Sequence, residues 1–145
     1  MKIELLAALD QLFSESPAMR ADDLPTEDEI DVASQKLNVP FPQDYREFLK
    51  RYGGAMVGPY PVFGLRPVEV MEKERWSVVK ITEAIRYELA NNLRWVIFSE
   101  DHSGNPIGFD ATGSVLIFDH DFGGETKIAD SFESYIRLQC LKLKH

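Results

Sequence analysis

Side chains able to do chemistry are densest between Phe98 and Asp121, where the chain reads FSEDHSGNPIGFDATGSVLIFDHD. This stretch holds Asp101, Asp110, Asp119 and Asp121, together with His102 and His120, two of the three histidines in the protein. Carboxylates and imidazoles at this density are the donor set of divalent-metal centres and of general acid–base sites. Asp101, Ser103 and Asn105 take the first, third and fifth ligand positions of a calcium-binding EF-hand loop. The sixth position then needs a glycine and is Pro106, and the twelfth needs a bidentate Glu and is Thr112, so the pattern breaks where it matters most.

A metal-dependent hydrolase would draw on His102, Asp110, Asp119, His120 and Asp121. If these residues continue a strand, alternation puts Asp119 and Asp121 on one side and His120 on the other. No second ligand pair and no HExxH-type helical spacing accompanies them. The reading that follows is of strand ends and turns whose acids are solvated or pair with lysines, with no metal and no cofactor. Nucleophilic catalysis finds less support. There is no Gly-x-Ser-x-Gly elbow, and Gly53-Gly54 follows a helical pattern instead of the strand that precedes a phosphate-binding loop. The single cysteine, Cys140, excludes an intramolecular disulfide framework and a thiolate zinc cluster. It stands in an apolar-periodic stretch, where a buried, inert thiol is expected.

The elements that must position these residues can be read from spacing and punctuation. Leu5, Leu6, Leu9, Leu12 and Phe13 form one helical stripe over Ile3 to Phe13. After a polar connection from Ser14 to Asp23, Thr26-Glu27-Asp28-Glu29 forms a capping box for a second helix, with Ile30, Ala33 and Leu37 on its buried face. Pro42 suits the first turn of a third helix. Tyr45, Phe48, Leu49 and Tyr52 follow at helical spacing, and Gly53-Gly54 stops it. Between Ala55 and Val70, apolar pieces broken by Gly58-Pro59, Pro61, Gly64 and Pro67 read as one or two short strands at a sheet edge. Val78, Ile81, Ile85 and Leu89 predict a fourth helix over about residues 73–91. Strands follow at Trp95–Phe98, Ile107–Phe109 and Val115–Phe118, with a further short strand at Lys127–Ala129. Asp130 or Ser131 caps a last helix that turns Phe132, Tyr135, Ile136 and Cys140 inward. Strands clustered between helices predict a single α+β domain, with about four to six antiparallel strands and about five helices.

At 145 residues and 44% hydrophobic content the chain has the make-up of one soluble globular domain. Its apolar runs all fall short of the roughly 20 residues that a membrane helix needs. Glu4 and Asp10 interrupt the apolar N-terminus, so a signal peptide is not expected and a cytoplasmic location is. The formal charge of −8 argues against a nucleic-acid surface and favours encounter with a basic partner. Tyr45, Phe48, Tyr52, Phe98, Phe109, Phe118, Phe132 and Tyr135 fall on predicted inward faces. The spacing does not assign Tyr60, Phe63, Trp76 and Trp95 a face, and Tyr60 and Phe63, set among prolines and glycines, are candidate interface anchors.

The run IDVASQKLNVPFPQDYREFLKRYGG resembles the N-terminal signature of the SUKH superfamily, the Smi/Knr-type domains. Ile30, Leu37, Pro42, Asp44, Tyr45, Phe48, Leu49, Gly53 and Gly54 occupy its places. A second block is similar in order, through Phe98, Asp101, Gly104, Asn105, Asp110, Gly113, Val115, Phe118, Asp119, His120, Ser131 and Phe132. The likeness spans about residues 24–140, and departs where the family's Gly-Asp-rich loop is here Asp-His-Ser-Gly-Asn-Pro. It implies an α+β fold, no enzymatic activity and a protein-binding role. In bacterial members that role is mostly immunity to a cognate toxin, often a nuclease or deaminase; in fungal relatives it is regulation of cell-wall synthesis. The expected partner-binding residues are Tyr60, Phe63, Glu100, Asp101, His102, Asn105, Asp110, Asp119 and Asp121, acting on a protein partner rather than on nucleic acid or membrane. A regulatory scaffold is the alternative reading, and a metal-dependent hydrolase the third.

Overall fold

A computed structural model describes residues 1–66, 68, 77–89 and 93–143. It contains α1 (Ile3–Glu15), a 3-10 turn (Pro17–Met19), α2 (Glu27–Leu37), α3 (Gln43–Tyr52), the hairpin β1 (Ala55–Val57) and β2 (Tyr60–Val62), and α4 (Val78–Glu88). Strands β3 (Val96–Glu100), β4 (Pro106–Phe109), β5 (Val115–Phe118) and β6 (Glu125–Ala129) follow, and α5 (Phe132–Ser134) widens into a π-helical turn over Tyr135–Cys140. The last four strands form an antiparallel meander in the order β3-β4-β5-β6. This is the α+β arrangement that the clustering of strands predicts.

Local chemistry accounts for most boundaries. Thr26 Oγ1 accepts the Glu29 amide at 3.2 Å while the Glu29 carboxylate accepts the Thr26 amide at 2.9 Å, which makes the capping box real. Pro42 stands one position earlier than the sequence predicts. Its ψ of 153° is extended, and its carbonyl accepts the first helical bond from Arg46 at 3.0 Å, so it caps α3 from outside. The expected fourth helix is found over Val78–Glu88, and its predicted flanks at 73–76 and 90–91, with Trp76, lie outside the described residues.

The core is aromatic. Tyr45 is fully buried on α3, with ring centroids of Phe109 and Phe132 each at 5.2 Å, Phe41 at 5.4 Å and Phe98 at 5.9 Å. Edge-on and tilted pairs of this kind stabilise beyond their buried area, by about 0.5–1.5 kcal/mol each. Burial pushes the Tyr45 phenol well above its usual pKa, and its hydroxyl donates to the Phe63 carbonyl at 2.6 Å. Two buried hydroxyls lock the sheet to its neighbours. Thr82 Oγ1 on α4 accepts the Ile97 amide at 2.9 Å. Ser99 Oγ on β3 donates to the Pro61 carbonyl at 2.6 Å. With the Phe63 amide bonded to the Phe98 carbonyl at 2.7 Å, the β1–β2 hairpin lies along β3 and covers that edge. The opposite edge, β6, is the exposed one.

Candidate functional site

The acids of the Phe98–Asp121 stretch stand at the three turns of the meander, and each turn is built the same way. In the β3–β4 turn, Asp101 Oδ1 accepts the amides of Ser103 (2.9 Å) and Asn105 (2.8 Å), and Oδ2 accepts Asn105 Nδ2 (3.0 Å). In the β4–β5 turn, Asp110 Oδ1 accepts the Thr112 amide (2.9 Å), the Thr112 hydroxyl (2.6 Å) and the Ser114 amide (3.2 Å). In the β5–β6 turn, Asp119 Oδ1 accepts the amides of Asp121 (2.9 Å) and Phe122 (3.2 Å). The first two turns then close on Gly104 and Gly113, whose φ of +80° and +87° lies in the left-handed region that a side chain disfavours. The first, third and fifth positions that suggested calcium are thus those of an aspartate folding its own loop. Burial works to raise the Asp101 pKa, but the amides of Asn105 and Ser103 outweigh it and hold the carboxyl below its usual value.

Alternate turns of a meander fall at opposite ends, so the structure divides the predicted site. Glu100, Asp101, His102, Asn105, Asp119 and Asp121 share one end with Tyr60, while Asp110 stands at the other. β5 stops at Phe118, so Asp119, His120 and Asp121 belong to a turn and the face alternation expected of a strand does not apply to them. Phe63 requires a correction as an exposed anchor: it is 2% exposed, because the hairpin lies against β3 and carries the ring into the core. Trp95 is buried as well, its indole N–H donating to Glu125 at 2.8 Å. Phe118, expected inward, is half-buried.

At the shared end the two turns are tied together by His120. Its amide donates to Asn105 Oδ1 at 3.1 Å, its Nε2 lies 3.1 Å from the Ser103 carbonyl, and its Nδ1 lies 3.3 Å from Asp121 Oδ1. Both ring nitrogens face acceptors, an arrangement satisfied in full by the imidazolium. The Ser103 carbonyl contributes most to a raised His120 pKa, desolvation works against it, and the charges of Asp121, Asp119 and Asp101 add to it. Beside this bridge the half-buried Tyr60 stacks on His102, with centroids 5.1 Å apart and planes 16° from parallel.

The sequence reading missed Phe122. It is 90% exposed at the tip of the β5–β6 turn, one residue from Asp121. A signal was there: an aromatic placed between an acid and the pair Gly123-Gly124 sits in a turn with no face to bury. Among the described residues no three of His, Cys, Asp and Glu converge on a point where they could hold a metal ion. Cys140 is buried, and that burial pushes its thiol up to about 12, far from a nucleophile's range.

No described helix is long and apolar enough to cross a membrane. The profile of the SMI1 / KNR4 family (SUKH-1) matches residues 24–138, a range that begins just before α2 and ends within the π-helical turn. Among curated proteins, none matches the chain.

Proposed function

The chain belongs to the SMI1 / KNR4 (SUKH-1) family, and from that premise we propose that it is an immunity protein, binding and neutralising a protein toxin through the acidic end of its meander. The family is in general a non-enzymatic, protein-binding one. The observation that carries the placement is Phe122, a large apolar side chain held 90% exposed on a turn that also presents Asp119 and Asp121. An exposed aromatic ringed by charge is the make-up of an interface anchor.

An inhibitor of this kind needs no reacting group. It needs a rigid surface whose carboxylates meet the Lys and Arg side chains around a nuclease's or deaminase's substrate cleft, with an aromatic to fill an apolar pocket between them. The rigidity comes from the turns, where each aspartate folds its own loop and His120 ties two loops together. The net charge of −8 adds a long-range attraction that speeds encounter with a basic partner and weakens as salt is added. Tyr60, stacked on His102, forms the remaining aromatic surface at this end. Glu100 and Asn105 stand at the same end of the sheet.

The test is co-expression with any toxin domain that a neighbouring gene encodes. The wild-type chain is expected to restore growth. Phe122→Ser and Asp121→Lys are expected to lose that protection while keeping wild-type stability, because both side chains are exposed and exposed substitutions typically change stability by about 0.5 kcal/mol or less. Full protection by both variants would remove this end of the sheet from the interface. No protection by the wild-type chain would remove the toxin reading itself.

A further inference from the structure

The end of the sheet remote from Phe122 sets two arginines beside the β4–β5 turn. Arg86, in the last turn of α4, and Arg94, just before β3, line a pocket of about 300 Å³ whose apolar wall is Leu37, Val39 and Leu93. Arg86 is poorly satisfied there. Its Nη2 reaches the Trp95 carbonyl only at 3.4 Å, and its Nε is buried without a partner. Five other cations, Arg46, Lys50, Arg51, Arg66 and Lys127, each meet a carboxylate at 3.5 Å or less. Arg86 and Arg94 form no such pair among the described residues. Arg20 and Arg137 also bury an Nε without a partner, so the orphaned atom alone singles out nothing. At Arg86 it coincides with a second guanidinium and an open pocket. Desolvation and then the charge of Arg94 both act against the Arg86 cation, and Glu83 offsets them only in part.

We propose that this pocket binds a small organic oxyanion, a carboxylate or phosphate carried on a short apolar body. An oxyanion between the two guanidiniums would relieve their repulsion, and the planar guanidinium fork matches both headgroups. The wall of Leu37, Val39 and Leu93 would take the apolar body, and 300 Å³ is at the small end of ligand-site volumes. α2 ends at the pocket, at Leu37, and its C-terminal dipole opposes an anion. That opposition amounts to roughly half a charge, against two full positive charges from the arginines. The site is separate from the acidic end and does not depend on the toxin reading.

The test is an NMR titration of the ¹⁵N-labelled full chain, with sodium butyrate and sodium phosphate in separate arms at ionic strength held constant with chloride. Saturable shifts of the Arg86 Nε–H signal and of the Trp95 amide are expected. Saturation by butyrate at lower concentration than phosphate identifies a carboxylate on an apolar body, and the reverse order a phosphate headgroup. Arg94→Gln, at an exposed position, is expected to weaken binding about tenfold, the loss of one charge-assisted hydrogen bond. Arg86→Gln is expected to abolish it, and Arg137→Gln to leave it unchanged. Shifts that fail to saturate, that chloride reproduces, or that survive unchanged in Arg94→Gln would overturn the site.

Discussion

At one end of the meander, Asp101 and Asp119 fold the β3–β4 and β5–β6 turns; at the other, Asp110 folds the β4–β5 turn by the same bonds. Yet the ends differ in everything around those aspartates. The first adds His120, Asp121, the Tyr60–His102 stack and the exposed Phe122. The second lies near Arg86 and Arg94, whose pocket Ala111 helps to line. A carboxylate that caps its own turn is committed to the fold, so its presence says little about function. What distinguishes the ends is the set of side chains that the turns leave over, an apolar and acidic set at one and an unpaired cationic set at the other.

The sharpest way to break this comparison is through Gly108, which lies between the two ends on β4. A Cβ there would meet the Val96 carbonyl oxygen at 1.9 Å and the Trp95 ring at 2.4 Å, both in a packed sheet with no room to yield. Gly108→Ala is expected to cost at least about 3 kcal/mol, the upper part of the overpacking range, read as a lowered urea midpoint. If the meander is one cooperative unit, amide protection should fall at both ends together. Loss confined to one end would make the ends independent.

The aspartates give a graded test. Asp101 is half-buried and accepts three hydrogen bonds, two of them from backbone amides, so Asp101→Ala is expected to cost about 2 kcal/mol. Asp119 accepts two, both on one oxygen in an exposed turn, and Asp119→Ala should cost about 1 kcal/mol. Asp110, with two amides and a hydroxyl, falls between them. Urea midpoints in that order support turn capping as the aspartates' main work. Stability unchanged in all three would mean that these carboxylates are held for another purpose.

How far the sequence carries this picture depends on the range of each signal. The capping box at Thr26 and the stop at Gly53 are legible because every partner lies within four residues. The glycine turns at Gly104 and Gly113 are legible for the same reason. The end of β5 at Phe118 is legible too, because the apolar run gives way there to Asp119, and the face alternation of a longer strand therefore does not reach Asp119 and Asp121. The burial of Phe63 is not legible, because it depends on bonding to Phe98, thirty-five positions along, by a hairpin too short to show a pattern of its own. The Arg86–Arg94 pocket needs α2, α4 and the β4–β5 turn brought together, and periodicity does not encode that. The π-helical widening after Ser134 has no residue signature either; Leu141 simply reaches back to the Ile136 carbonyl at 3.0 Å.

The smallest expected effect distinguishes the ends by pH. His120 has a raised pKa in the folded chain, owed first to the Ser103 carbonyl and then to Asp121, Asp119 and Asp101. A raised folded-state pKa means that the native state holds the proton more tightly than the unfolded chain does. The resulting stabilisation is complete below the unfolded value of about 6.5 and is lost as pH rises through the folded value. The residue is solvent-exposed, so the change is modest and screened by salt. It is best read as the difference between wild type and His120→Gln, since other groups cancel in that subtraction. The wild-type advantage in urea midpoint should be larger at pH 5.5 than at pH 8, and the Ser103 and Asn105 amide signals should follow the same titration. The amides of Ala111 and Thr112, in the β4–β5 turn at the far end, should not move. A pH-independent difference, or a shift of equal size in both sets of amides, would mean that His120 does not tie the two turns at its own end.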